Sequence, residues 1–216
     1  MSILQDLLDL IYPITCPGCG MVMSSRKVWC DNCLRDILNP RLLNSSFTEY
    51  LHGCYTICNY EKSIRKCIIQ IKYSRQHERK RFFTPLLDYF PYWDRLTDCD
   101  LVIPVPLSKK KMNMRGYNQV DLMFKEPLEK RGMTYAAHGL VRIRAAETQS
   151  LLTRNERLVN TKNVFHVNKG MDLKGKRILV VDDIYTTGAT MNSCAKELKR
   201  VGAEEIIGLT IASGAY

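Results

Sequence analysis

Residues 180–190 read VVDDIYTTGAT. The apolar run RILVV at 177–181 leads straight into two adjacent carboxylates, Asp182 and Asp183, and then into a loop of threonine, glycine and alanine. A continuous apolar run of this kind suits a strand buried on both faces of a parallel sheet. Ligands of open parallel sheets lie beyond the carboxyl ends of the strands, where the two aspartates fall. Neighbouring carboxylates accept hydrogen bonds from vicinal hydroxyls such as the 2′ and 3′ groups of a ribose. Thr186, Thr187, Gly188, Ala189 and Thr190 then open a helix, whose unpaired N–H groups and positive dipole end favour a phosphate. Diol acceptors beside a phosphate cradle describe a 5-phosphoribosyl group. An Asp-rich turn capping a helix accounts for one aspartate and one threonine, not for the whole string. Nucleoside triphosphate loops require a G-K-[ST] that is absent here.

Outward from this stretch, strand and helix patterns alternate. Strands are expected at 53–60, 100–106, 139–144, 163–167 and 204–212, and helices at 3–11, 61–74, 116–131, 153–160 and from the TTGAT loop to Arg200. Pro13 closes the first helix, Pro127 is expected to break or bend the third, and Gly202 ends the last. Residues 38–50 read as a polar linker. Ile64, Cys67, Ile68 and Ile71 recur at helical spacing. Such alternation implies an α/β fold: a parallel sheet flanked by helices and joined by right-handed crossovers. The expected division is an N-terminal helix and metal module at 1–40, a basic helical hood or linker at 41–95, and the ligand-binding domain at 96–216.

Cys16-Pro-Gly-Cys19 is followed by Cys30-Asp-Asn-Cys33. Two C-x-x-C knuckles set four thiolates at the corners of a tetrahedron, the arrangement zinc prefers. With all four positions supplied by protein, such a zinc is structural, and it supplies the folding energy that a short segment lacks. Gly18 and Gly20 fit the tight first knuckle. The remaining cysteines, Cys54, Cys58, Cys67, Cys99 and Cys194, show no ligand spacing and read as buried side chains. Nine cysteines without a secretory leader point to a reducing, cytoplasmic setting. No apolar run is long enough to span a bilayer.

The net charge is +10. Residues 62–81 carry eight Lys or Arg against the single Glu78, and Lys109, Lys110, Lys111 and Arg115 form a second cluster. Charge so concentrated suits nucleotides, single-stranded nucleic acid or an anionic membrane surface; it also suits a solvated helix face. The aromatics Tyr55, Tyr60, Tyr73, Phe82 and Phe83 between 40 and 95 fit a hood over the site, a base-stacking surface, or simply core.

The 180–190 string resembles the type I phosphoribosyltransferase motif. Four blocks in order, CPGCG…CDNCL, VIPVPLSKKKMNMRGYNQ, ETQSLLTRNERLVNTKNVF and ILVVDDIYTTGAT, resemble the ComF family over residues 3–213. That resemblance implies a phosphoribosyltransferase-like fold with an N-terminal zinc finger, binding phosphoribosyl pyrophosphate with magnesium. It implies a role in natural transformation, where incoming single-stranded DNA is handled on the cytosolic side of the inner membrane, with a DNA-uptake helicase or other competence proteins as partners. It also implies a pyrophosphate loop at 105–109, with Val105, Pro106 and Ser108 around the ligand and Lys109 against the leaving group. Arg115 lies behind that loop, a mobile loop at 144–152 closes over substrate, and Arg157 faces the phosphates. Asp182 and Asp183 take the ribose. A second expectation is an active phosphoribosyltransferase of nucleobase salvage or another nucleoside step; the residues show no acceptor pocket.

Overall fold

The structure is a computed structural model and describes residues 14–23, 27–73, 77–143 and 164–214. The expected helices at 3–11 and 153–160, the loop at 144–152 and Arg157 lie outside the described residues.

The 62–73 segment shows why the chain folds as it does. Ile64, Cys67, Ile68 and Ile71 fall on one stripe of a helix and are all fully buried, while Arg65 and Lys66 stand in solvent. Burying each such side chain contributes about 1.5–3 kcal/mol, which is ample to hold a helix that lacks an acidic first turn.

In chain order the elements are α1 (Asp31–Ile37), β1 (Leu38–Leu42), β2 (Cys54–Asn59), α2 (Lys62–Tyr73), α3 (Thr84–Asp88), β3 (Leu101–Pro104), α4 (Lys109–Arg115) and α5 (Gln119–Glu129). Then follow β4 (Leu140–Arg142), β5 (Phe165–Val167), β6 (Arg177–Tyr185), α6 (Ala189–Arg200) and β7 (Glu205–Ser213). Five strands form one sheet in the order β1-β2-β7-β6-β3. The pairs β2–β7, β7–β6 and β6–β3 are parallel, and β1 adds antiparallel at the edge. The α/β parallel sheet expected from the sequence is therefore present.

The strand period of two sorts β6 onto two cores. Leu179 and Val181 join Leu209 and Ile211 under α2, α3 and α5. Ile178 and Val180 face α6 through Cys194, Ala195 and Leu198. The cysteine module belongs to the first core: Cys16, Trp29, Cys30, Leu34 and Ile37 are buried with Ile64 and Phe83, and Trp29 Nε1 donates to the Phe82 carbonyl at 2.8 Å.

Three details depart from the sequence pattern. The supposed linker at 38–50 contains strand β1; Pro40 is tolerated because it sits on an edge strand where the register slips between Leu38 and Arg41. Helix α5 runs through Pro127 to Glu129, because the proline falls in its last turn and loses only one backbone bond there. Strands β4 and β5 pair antiparallel in a separate two-stranded sheet rather than joining the parallel one. This hairpin is tied to α6 by the buried Glu197, which accepts from the Val167 amide at 3.3 Å and from Arg200 at 2.8 Å.

Strand β2, drawn from the 41–95 stretch, lies inside the sheet beside β7, so main-chain hydrogen bonds join that stretch to the strands of 96–216.

Candidate functional site

Strand β6 outruns its neighbour on one side. Its ladder with β3 ends at Pro104–Val181, while its ladder with β7 continues to Tyr185–Ser213. Asp182 and Asp183 therefore project past β3 at the carboxyl edge of the sheet. The chain that leaves β3 is held close: Val105 N donates to the Val181 carbonyl at 2.9 Å. Asn118 then serves twice, donating from Nδ2 to the Val105 carbonyl at 3.1 Å and capping α5 by accepting from the Val120 amide at 3.1 Å.

Asp183 falls on the α2–α5 side of β6. It is 6% exposed, yet its Oδ2 receives Lys72 Nζ at 2.6 Å and Gln119 Nε2 at 3.1 Å. Gln119 in turn accepts from Arg115 Nη1 at 2.6 Å. Buried charge demands such partners; Lys72 and Gln119 supply them directly, and Arg115 stands behind Gln119. Asp182 falls on the α6 side. Its Oδ1 turns back to accept from the Asp183 amide at 2.8 Å, and among the described residues no ion pair reaches it. Burial, and then the charge of Asp183, hold its carboxyl well above the usual carboxylate range, against the pull of that amide bond.

Beyond Asp182 lies a small cleft lined by Asp182, Ile184, Tyr185, Thr186, Gly188, Thr190 and Met191. Gly188 has φ +74, and a Cβ there would stand 2.1 Å from the Tyr185 hydroxyl. Only glycine lets the loop lie down on that buried ring and turn into α6. Helix α6 starts there with Gly188, which has no side chain to cap it; Thr187 Oγ1 accepts from the Ala189 amide at 3.4 Å, and the helix N-terminus beyond it favours an anion. Thr186, Thr187, Ala189 and Thr190 are exposed around the loop.

The 105–109 turn borders a second cleft of about 210 Å³, shared by Pro106, Leu107, Lys109, Asn118, Asp121 and His138 among others. Ser108 caps α4 by accepting from the Lys111 amide at 3.4 Å, and Lys109 stands exposed in the first turn.

The structure thus brings together Asp182, Asp183 and the TTGAT loop. Arg115 is not at an open surface behind the turn: it is 7% exposed and reaches Asp183 only through Gln119. Two residues of this site, Lys72 and Gln119, are not evident from the sequence. Lys72 reads as one more charge in a basic run, and its single signal is its place beside the apolar stripe of α2. Gln119 has a better one, since RGYNQ ends where α5 begins. Of the aromatics singled out between 40 and 95, Phe83 is core, Tyr55, Tyr60 and Phe82 are half-buried, and Tyr73 is 67% exposed.

The sulfur atoms of Cys16, Cys19, Cys30 and Cys33 all lie within 4.8 Å of one another and could hold a metal ion. Gly18 is required there, because a Cβ would meet Cys33 Sγ at 2.7 Å. Burial pushes the Cys16 thiol up, but the amides of Cys30, Cys19 and Gly18 outweigh it and bring it down to about 6. Cys54, Cys58, Cys67, Cys99 and Cys194 are buried and not part of the four-sulfur group, and burial pushes the Cys67 thiol up to about 12 and Cys99 to about 11. No described helix is long and apolar enough to cross a membrane.

Residues 136–215 match the phosphoribosyl transferase domain family. Over nearly the whole chain there is similarity to DNA utilization protein YhgH of Shigella flexneri, 29% identical over 196 residues that cover 88% of this chain and 80% of that one. Competence protein F of Haemophilus influenzae is 29% identical over 198 residues, 88% of this chain and 81% of its own. Competence protein ComFC of Bacillus subtilis is 28% identical over 189 residues, 87% and 72% respectively. These relatives, the matched domain and the cysteine cluster together support a ComF-family, phosphoribosyltransferase-like protein.

Proposed function

We propose that this protein binds phosphoribosyl pyrophosphate with magnesium at the carboxyl end of β6 and serves in the uptake of DNA, on incoming single strands. The observation that carries the ligand is the placement of Asp182 against the Thr186–Thr190 loop, with Gly188 pressed onto Tyr185. In this reading the 5-phosphate lies at the N-terminus of α6. Asp182 and Asp183 accept from the ribose hydroxyls, Asp183 being held in place by Lys72 and Gln119. Val105, Pro106 and Ser108 shape the pyrophosphate turn, and Lys109 supplies positive charge to it. Magnesium, when bound, neutralises the pyrophosphate oxygens. If the sugar is transferred, Lys109 and Arg157 stabilise the departing charge; Arg115 acts at a distance, fixing Gln119 and so the Asp183 carboxylate.

The cysteine cluster takes zinc in a structural role: four thiolates from one module leave no open position. The DNA role rests on the names of the relatives, DNA utilization and competence proteins, and on the exposed Arg65 and Lys66 of α2. A helicase or other competence protein at the inner membrane fits as partner. The test of DNA binding must spare Lys72, which serves Asp183: Arg65→Gln/Lys66→Gln weakens single-strand binding and flattens the slope of log affinity against log salt by about 1.4.

The ligand is tested by calorimetric titration of phosphoribosyl pyrophosphate, with and without magnesium, into wild type and Asp182→Asn/Asp183→Asn. Magnesium-dependent binding lost in the double variant is the expected result. A folded, zinc-loaded wild type that takes up no ligand would overturn the reading.

A further inference from the structure

A second crevice opens on the side of β3 away from β6. The chain at 134–136 runs along that outer edge: Val102 N donates to the Thr134 carbonyl and Ala136 N to the Val102 carbonyl, each at 2.8 Å, around a parallel bridge of Val102 with Tyr135. It then passes through Ala137 and His138 to Gly139, which lies so close to β3 that a Cβ there would meet Ile103 at 3.0 Å. The cleft of about 210 Å³ that borders the 105–109 turn is the result. It sits beyond the carboxyl ends of two parallel segments, where ligands of such sheets collect. Its apolar walls are Leu107 of the turn, Met112 of α4, and Leu140 and Val141 of β4.

The polar groups of this cleft are few and incompletely paired. Asp121, in the first turn of α5, is half-buried. Its Oδ1 accepts from the Tyr135 hydroxyl at 2.9 Å, and no cation pairs with it among the described residues. Burial pushes its carboxyl up, against the Tyr135 bond and the nearby His138. His138 is exposed and finds no hydrogen-bond partner among the described residues. Arg142, also exposed, lies over the Phe165 ring, 5.4 Å from Cζ to the centroid, and pairs with no carboxylate among the described residues. The cleft thus has apolar walls, a carboxyl with spare acceptor capacity inside, and cationic groups at its mouth.

Size and charge together select an occupant. The volume falls below the roughly 300 Å³ at which sites for drug-sized ligands begin, so a nucleotide is too large. A half-buried carboxyl calls for an ammonium, and the groups at the mouth call for a carboxylate. These two demands are adjacent, since His138 lies near enough to act on the charge of Asp121. We propose that this cleft is a binding site for a free apolar α-amino acid. Its ammonium lies on Asp121, its carboxylate on His138 and Arg142, and its side chain against Leu107, Met112 and Val141. The site stands apart from the phosphoribosyl reading: it meets the pyrophosphate turn from behind, and neither aspartate of β6 nor the Thr186–Thr190 loop lines it.

The test is calorimetric titration of the full chain with L-leucine and with two truncated analogues, isocaproate, which lacks the ammonium, and isoamylamine, which lacks the carboxylate. Wild type should bind L-leucine saturably and each analogue at least about tenfold more weakly, the factor for one lost hydrogen bond between charged groups. Asp121→Asn keeps an oxygen for the Tyr135 hydroxyl and should bring L-leucine down to the affinity of isocaproate. Arg142→Gln changes an exposed side chain, so the fold is not at stake; it should weaken L-leucine about threefold and leave isoamylamine unchanged. A wild type that shows no saturable binding of L-leucine would overturn the proposal. So would equal affinity for L-leucine and isocaproate, or a preference for L-leucine over isocaproate that persists in Asp121→Asn.

Discussion

The two faces of strand β6 treat adjacent, chemically identical carboxylates in opposite ways. On the α2–α5 face, Asp183 meets Lys72 and Gln119 and its charge is matched within the fold. On the α6 face, Asp182 is half-buried beside that charge, accepts from the Asp183 amide and has no ion-pair partner among the described residues. A matched carboxylate is part of the scaffold; an unmatched one is a place where folding energy has been left unoptimised. Unmatched, half-buried carboxylates of this kind collect at functional sites, because a ligand or its metal supplies what the fold withholds. Asp182, rather than Asp183, is then the group whose state changes when the site fills.

The contrast yields a graded series of expectations. The largest effect should come from Lys72→Met, which strands Asp183 in the core. With Lys72 itself partly exposed, the loss is about 2–4 kcal/mol, read as a fall in Tm of roughly 5–12 °C. A variant as stable as wild type would mean that Lys72 is a bystander. Gly188→Ala comes next, at about 1–3 kcal/mol, since it forces a Cβ into Tyr185 at a positive φ; it should also abolish ligand binding.

Asp182→Asn should go the other way. The amide oxygen still accepts from the Asp183 backbone, the unfavourable charge is gone, and the ligand-free protein gains about 0.5–2 kcal/mol. The sign with pH follows from a folded-state pKa above the unfolded one. Wild-type Asp182 contributes its stability below the unfolded carboxylate range and loses it as pH rises through the elevated value. The advantage of Asn over Asp in thermal melts should therefore grow with pH and then level off. An advantage that shrinks with rising pH would show that Asp182 is matched after all. Gln119→Leu should be of similar size and opposite sign. Lys72 still pairs with Asp183, so Tm should fall by only a few degrees, about 1–2 kcal/mol, while ligand affinity drops as the carboxylate loses its orientation.

The same contrast marks what the sequence discloses. The TTGAT cradle, the aspartates and the cysteine quartet are contiguous or regularly spaced, so their chemistry is written in neighbouring letters. The buried strands β6 and β7 are as plain, because nothing but a two-sided parallel strand needs such apolar runs. Lys72 is different: it belongs to a basic helix, and only the crossing of that helix over the sheet turns one of its charges inward. Arg115 looks like a surface cation for the same reason, and only packing shows it buried under Tyr73. Strand β1 is not legible in the sequence because an edge strand tolerates the proline and polar residues that mark linkers. Local chemistry is legible in this chain; which charge answers which is decided by tertiary contacts.

The most direct measurement is the number of protons released when magnesium and phosphoribosyl pyrophosphate bind, obtained by calorimetry in buffers of different ionisation enthalpy. If Asp182 waits unmatched, wild type should release a proton at mildly acid pH beyond that released by Asp182→Asn, with the excess fading as pH rises. Identical proton counts in the two proteins across that range would contradict the division of labour between the two carboxylates.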